Sequence, residues 1–211
     1  AVDLPRRLLD GDHISLGNTT LKFSMLEELE EHALMQLVAL TVRDPLTNAY
    51  NRRYLMDHLR GELAFAARLG TPVGLLLIDI DHFKQVNDSY GHRVGDIVLQ
   101  LVAASMQRLL RPYDVLCRYG SEEFVIVGEE TDEGGALWLA ELIRTELEAV
   151  KFHSDLGTLN VTCSVGVAPF GAAGGTWEQL FKATDEALYA SKRGGRNKVT
   201  VWTPRLSGAA A

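Results

Sequence analysis

No run of the chain approaches the roughly 20 apolar residues that a membrane-spanning helix requires, and no signal-peptide pattern is visible. No membrane contact is expected within this chain. A basic excess is also missing. Lys and Arg number 21 against 28 Asp and Glu, a formal net charge of −7. That balance argues against nucleic acid as a partner, because phosphate-backbone binders carry a basic face. It leaves room for a single nucleotide, which needs only a few local cations and a metal. Cysteine is scarce. Cys117 and Cys163 each sit in an apolar strand-like run, and neither has a second Cys or a His at zinc spacing. They read as buried reduced thiols of a cytoplasmic protein. There is no Walker A loop, no internal repeat and no low-complexity tract.

What remains is a composition that folds: 46% hydrophobic and 23% charged residues over 211 positions, enough for one domain and an appendage. Residues 1 to about 20 show no clear period and, broken by Gly11, Gly17 and Asn18, read as irregular structure. A helix is expected over about Leu21 to Val42. Leu26, Leu29, Ala33, Leu37 and Leu40 recur there at spacings of three and four, with Glu27, Glu28, Glu30 and Glu31 facing away. Such a helix ahead of a domain serves as a stalk that pairs with another copy, or lies on its own core; the stalk is preferred. Asp44-Pro45-Leu46-Thr47-Asn48 is a turn and marks the domain boundary. The division expected is 1–42 for the N-terminal segment and stalk, 43–203 for the domain and 204–211 for a tail.

Within the domain, Asn51 can cap a helix carrying Leu55, Leu59 and Leu63. Val73 to Ile80 is nearly unbroken apolar sequence, suited to a central strand covered on both faces. A helix is expected from about Gly95 to Leu110, a hairpin over Val115 to Val127, and a helix at about 132–150. Leu159 to Val167 alternates strictly and predicts a strand. Thr176 and Gln179 form a capping box for the last helix, which ends at Gly194-Gly195 before a final strand over Lys198 to Trp202. The order implies an α/β (α+β) sandwich, a central mixed sheet flanked by helices.

Chemistry concentrates in two acidic places. Asp79 and Asp81 end the central strand on one face by parity. A buried strand ending in two carboxylates is costly unless a cation compensates, and Mg²⁺ takes oxygen ligands while keeping substrate phosphates in its shell. A strand that simply reaches solvent is the plainer alternative. An EF-hand is set aside, since the third acidic position and the loop Gly are missing. Glu122 and Glu123 sit at the hairpin tip, where Gly120 is expected to supply backbone freedom. Acidic hairpin tips are usually just solvated. If the hairpin lies beside the Asp79 strand, several carboxylates converge and imply metals and phosphoryl or nucleotidyl transfer. Lys84 follows the acidic strand, and Lys192 and Arg196 flank the Gly-Gly end of the last helix. Lys192 there also suits the helix dipole.

Five runs in order resemble the GGDEF-domain diguanylate cyclases, over about residues 43 to 202: Asp44 to Arg53, Asp79 to Asp88, Gly91 to Asp96, Arg118-Tyr-Gly-Ser-Glu-Glu-Phe124 and Lys192 to Asn197. The resemblance implies that the domain has the family's palm-like fold and condenses two GTP into cyclic di-GMP and two pyrophosphates across a homodimer. Asp79 and Glu122 would be metal carboxylates with the Ile80 carbonyl assisting, for two Mg²⁺ per site, with Mn²⁺ an alternative. Glu123 would stand near the 3′-hydroxyl or the second metal. Asn87 and Asp96 would read the guanine edge, while Lys84, Phe83, His92, Lys192 and Arg196 would complete the substrate site. Arg111 and Asp114 match the family's RxxD motif, which would bind the product as an inhibitor; a capped helix end with Asp114 in a turn is the bland account. A regulatory protein at the stalk helix is a further expectation. The family usually has Gly where this chain has Ser121. If that position needs a positive φ or close approach to the base, Ser costs about 1 kcal/mol and adds a hydroxyl, which predicts reduced or altered activity, or a cyclic di-GMP or GTP receptor or dimerising scaffold. Asn48 replaces another usual Gly, and Asn tolerates the left-handed region.

Overall fold

A computed structural model describes residues 7–25, 28–154 and 157–206. Two compact units divide the chain, residues 1–41 and 42–211. Among the described residues no helix is long and apolar enough to cross a membrane.

Residues 13–22 are not irregular, contrary to the expectation for residues 1–20. Strands β1 (His13–Leu16) and β2 (Thr19–Lys22) form an antiparallel hairpin closed by Gly17-Asn18, with Gly17 at φ 61°. A two-residue turn with positive φ matches the twist of its strands; the glycines are hairpin punctuation rather than breakage. Strand pairing also moves the helix start. Helix α1 spans Glu28–Val42, not Leu21 onward, because Leu21 belongs to β2. Leu26 of the expected stripe lies outside the described residues. Ala33, Leu37 and Leu40 are exposed.

The second unit is built on a six-stranded mixed sheet of order β10-β9-β4-β6-β5-β3. The strands are β3 (Tyr50–Asn51), β4 (Val73–Ile80), β5 (Val115–Arg118), β6 (Glu123–Glu129), β9 (Cys163–Pro169) and β10 (Val199–Val201). β4 lies antiparallel between β6 and β9 and is buried along its whole length. A central strand covered on both faces must be apolar on both, as Val73 to Ile78 is. Leu75 and Leu77 pack with Leu55, Leu59, Val125 and Leu180, beneath α2 (Arg52–Leu69) and α6 (Trp177–Arg193). Leu76 and Ile78 pack on the other face with Val98, Val102, Phe124 and Ile143, beneath α3 (Phe83–Tyr90), α4 (His92–Leu109) and α5 (Glu133–Ala149).

Local signals hold where they are chemical. Asn51 accepts from the Tyr54 amide and starts α2, and the Thr176–Gln179 capping box starts α6. Two boundaries differ. The helix expected from Gly95 begins at His92 and is preceded by α3, the two being separated by Gly91 at φ 82°. The alternating run to Val167 is not one strand. β8 (Gly157–Leu159) pairs with β7 (Phe152–Ser154), and β9 begins only at Cys163. Between them Thr162 turns to Asp81, giving it a hydroxyl donor and accepting its amide.

Because Leu76 is fully buried, Leu76→Ala is expected to lower the unfolding free energy by about 2–5 kcal/mol in urea titrations followed by circular dichroism. Leu101→Ala, on the exposed face of α4, should shift it by less than about 0.5 kcal/mol.

Candidate active site

The hairpin does lie beside the Asp79 strand. Antiparallel pairing puts Asp79 and Glu123 directly opposite each other, so their side chains emerge on one face. The Ile80 amide donates to the Glu122 carbonyl at 3.3 Å, and the amides of Tyr119 and Gly120 donate to the Glu123 carbonyl at 2.8 and 3.2 Å. Gly120 is not needed for backbone freedom. Its φ is not positive, but a Cβ there would stand 2.3 Å from Glu123 Oε2. Ser121 likewise avoids the left-handed region, so the expected backbone penalty for Ser in place of Gly is not incurred. Its hydroxyl donates to Glu122 Oε2.

Arg118 holds this tip. Its Nη2 donates to the Ser121 carbonyl at 2.8 Å, and its Nη1 lies 3.1 Å from Asp44 Oδ1 in the entry turn. Asp44 also accepts from the amide and hydroxyl of Thr47. Burial pushes the Asp44 carboxyl up, but these hydrogen bonds outweigh it and leave it below the usual range. Asn48 takes the left-handed conformation in that turn, φ 59°, as expected of Asn.

Three carboxylates crowd together. Burial raises Asp79, Asp81 repels it, and Lys192 and Arg196 offset this only in part. Glu122 is raised by burial and then by Asp79, and Glu123 by burial and then by Asp79, with Glu122 adding further repulsion. From the last turn of α6, Lys192 Nζ sits 2.8 Å from Asp79 Oδ2. The cluster is short of positive charge and offers only oxygen ligands, which fits Mg²⁺ or Mn²⁺. Among the described residues no three His, Cys, Asp or Glu side chains stand grouped so as to hold a metal ion; one Asp79 oxygen is held by Lys192 instead.

Asp81 departs from the expected pairing with Asp79. Its oxygens accept from Thr162 Oγ1 and Ser164 Oγ, each at 2.7 Å, and from the Asn197 amide at 2.9 Å. It is a buried anchor for the closing loop rather than a metal candidate. That loop carries Arg196 and Asn197 at φ 64° and 43°. Asn197 is further held by Arg144 and Glu148. Neither Asp44, Arg118 nor Asn197 received a role from the sequence, although all three lie inside the quoted runs. Only their pairing across the fold reveals what they do.

The remaining candidates divide by element. Phe83 buries its side chain in the core, so the group it can offer is the amide in the first turn of α3, next to exposed Lys84. Asn87 on α3 lies against Gly95 on α4, where a Cβ would meet Asn87 Oδ1 at 2.0 Å. Asp96 follows Gly95 on α4, with His92 one turn back; both are exposed. Arg111 and Asp114 are apart from all of these, at the end of β5 remote from the hairpin tip. Asp114 is buried, accepts the Arg111 amide at 2.9 Å and leaves Oδ1 without a partner. Burial raises its carboxyl despite that bond and the nearby Arg111 charge. It lines a cavity of about 620 Å³ with Arg43, Tyr50, Gln107 and Arg108.

An antiparallel strand pair ending in carboxylates, faced by Lys192 from α6 and Arg196 from the loop after it, has the chemistry to accept a metal-bound nucleotide. The family model "Diguanylate cyclase, GGDEF domain" matches residues 41–198, and the chain belongs to that family. It is 39% identical over 184 residues to diguanylate cyclase DosC of Escherichia coli, covering 87% of this chain and 39% of that protein. To the response regulator PleD of Caulobacter vibrioides it is 43% identical over 162 residues, covering 76% and 36%. The chain thus spans about two fifths of the length of these relatives. The solved coiled coil and GGDEF domain of DgcB from Caulobacter crescentus, in complex with c-di-GMP, superposes with a TM-score of 0.75 at 35% identity, covering 82% of this chain and 91% of that one.

Asp81→Ala should cost about 3 kcal/mol, since it removes several hydrogen bonds to a buried charge. Thermal melts should show the loss, and hydrogen exchange should quicken at the Asn197 amide.

Proposed function

We propose that this domain is a diguanylate cyclase acting as a homodimer, and that the opposition of Asp79 and Glu123 with Glu122 at the same tip carries the reading. Each copy would bind one GTP. Asn87 and Asp96 accept from guanine N1–H and N2–H, a donor pair that adenine lacks. Lys192, Arg196 and Lys84 bind the triphosphate, with the Phe83 amide and His92 at its margins. Asp79, Glu122 and the Ile80 carbonyl would hold Mg²⁺, which when bound makes the 3′-hydroxyl more acidic and stabilises the leaving pyrophosphate. Glu123 stands where it can take the hydroxyl proton. Each 3′-oxygen then forms a bond to the α-phosphorus of the other GTP, and each α–β phosphoanhydride bond breaks. Two such bonds close one ring and release two pyrophosphates. α1, with Leu37 and Leu40 exposed, is proposed as the pairing stalk and as the place where a regulatory protein acts. Arg111 and Asp114 are proposed to bind cyclic di-GMP as an inhibitor, a role supported by the unpartnered Asp114 Oδ1. The ordinary backbone at Ser121 answers the strain argument for the receptor-only alternative, and incubation with GTP tests what remains of it.

Purified protein incubated with GTP and Mg²⁺ should yield cyclic di-GMP on chromatography, and absence of product at a concentration where the chain dimerises would sink the reading. Glu122→Gln should lower turnover at least ~100-fold while leaving the melting temperature in place.

If the RxxD pair binds product, Arg111→Ala should raise the half-inhibitory concentration of cyclic di-GMP roughly tenfold, the worth of one charge-assisted contact. An unchanged inhibition curve would refute that role.

A further inference from the structure

Lys192 has two suitors in the proposed reaction, the triphosphate and Asp79. Its Nζ lies 2.8 Å from Asp79 Oδ2, and the side chain is half-buried. Asp79 is buried, faces Glu123 across the strand ladder and is repelled by Asp81. Arg196 acts on Asp79 as well, but from an exposed position on the closing loop. The ammonium is therefore the near positive charge on the most enclosed of the three carboxylates. A divalent ion joining these carboxylates must share or take the oxygen that Lys192 holds, and must then leave an ammonium beside itself. Like charges at that distance in a poorly solvated site oppose each other strongly. A nucleoside triphosphate changes the balance: it offers Lys192 a new anionic partner and brings the metal already bound to its own phosphates.

We propose that Lys192 is the resident counter-cation of the carboxylate cluster, so that the domain takes its divalent metal together with a nucleoside triphosphate and binds the free metal poorly. This rests on the reading of Asp79 and Glu122 as metal carboxylates. The same ammonium serves twice, first on Asp79 and then on phosphate. Metal and nucleotide affinities are then reciprocally coupled, and Lys192 carries the coupling as a positioning residue.

The test titrates Mn²⁺ into the full chain and reads free Mn²⁺ by electron paramagnetic resonance, alone and with a GTP analogue whose α–β bridge is methylene, each against the same mixture without protein so that chelation by the analogue is subtracted. Wild type should bind Mn²⁺ at least ~10-fold more tightly with the analogue than without it, within the usual range of site–site coupling. Lys192→Gln should bind Mn²⁺ alone roughly tenfold more tightly than wild type, the opposite of what general damage to the site produces. Lys192→Met should agree with it, whereas Lys192→Arg, which keeps the charge, should resemble wild type. Circular dichroism confirms that each variant is folded. Unchanged or weaker binding of Mn²⁺ alone by both neutral variants would overturn the proposal, as would tight binding of Mn²⁺ alone by wild type. Wild type that fails to bind Mn²⁺ even with the analogue would instead bring down the metal-site reading beneath it.

Discussion

Two carboxylates stand opposite each other on neighbouring strands, Asp79 on β4 and Glu123 on β6. Like charges in that relation destabilise a sheet, and burial makes them worse. The pairing survives because register is fixed by what lies behind it. β4 is apolar on both faces, so a slip of one residue would carry Asp79 into the core formed by Ile78, Val98 and Ile143, and Leu77 out of its own. The hydrophobic core thus enforces an electrostatic arrangement that the carboxylates would not adopt by themselves. The rest of the site consists of ways to live with it: an ammonium from α6 and a guanidinium nearby.

The supporting contacts are spread over distant parts of the chain. Arg118 clamps the hairpin tip to Asp44, 74 positions earlier, in the turn that begins the domain. Asp81 reaches 116 positions forward to the Asn197 amide. Both residues at the bend of the closing loop, Arg196 and Asn197, take left-handed backbone, which costs an ordinary residue roughly 1–2 kcal/mol. Asp81, Arg144 and Glu148 hold Asn197 there, and the strain places the neighbouring Arg196 where its charge reaches Asp79. Asp81 and Asp79, two residues apart, have opposite tasks. One is saturated with hydroxyl and amide donors and fixes the frame; the other is held by the Lys192 ammonium alone among the described residues.

That division was not legible in the sequence, where Asp79 and Asp81 are alike. Strand parity gave both the same face, and the distinction arises from Thr162, Ser164 and Asn197, which only the fold brings to Asp81. Signals that depend on neighbours along the chain were legible: the unbroken apolar run of β4, the Asn51 cap, the Thr176–Gln179 box, and Asn48 standing in for Gly. Errors fell where a residue has two meanings. Gly17-Asn18 can break a pattern or close a hairpin, and it closes one. Gly120 can supply torsional freedom or space, and its φ does not call for torsional freedom. Ser121 was weighed as a strained substitution, but strain is a property of φ, and its φ is ordinary. The convergence of Asp79 with Glu122 and Glu123 was conditional on strand order, which periodicity does not encode; β6 beside β4 supplies it.

The proposed chemistry also sets what a single copy lacks. On the proposed reading one domain has one carboxylate cluster, one pair on α3 and α4 to meet guanine, and one set of cations, and would hold one GTP. Ring closure needs a 3′-oxygen from one nucleotide at the phosphorus of another, twice, with the same geometry both times. Two copies related by a two-fold axis meet that requirement with a single kind of site. Held only by collision, the pair would form at a rate limited by protein concentration, whereas a helix pair converts the encounter into an intramolecular one. α1 leaves Leu37, Val38 and Leu40 in solvent, a cost that pairing with a second copy would remove. Since α1 runs into the entry turn at Asp44, and Asp44 is clamped to the hairpin tip by Arg118, an adjustment in how two such helices pair has a short covalent and ionic route to the residues that would do the chemistry.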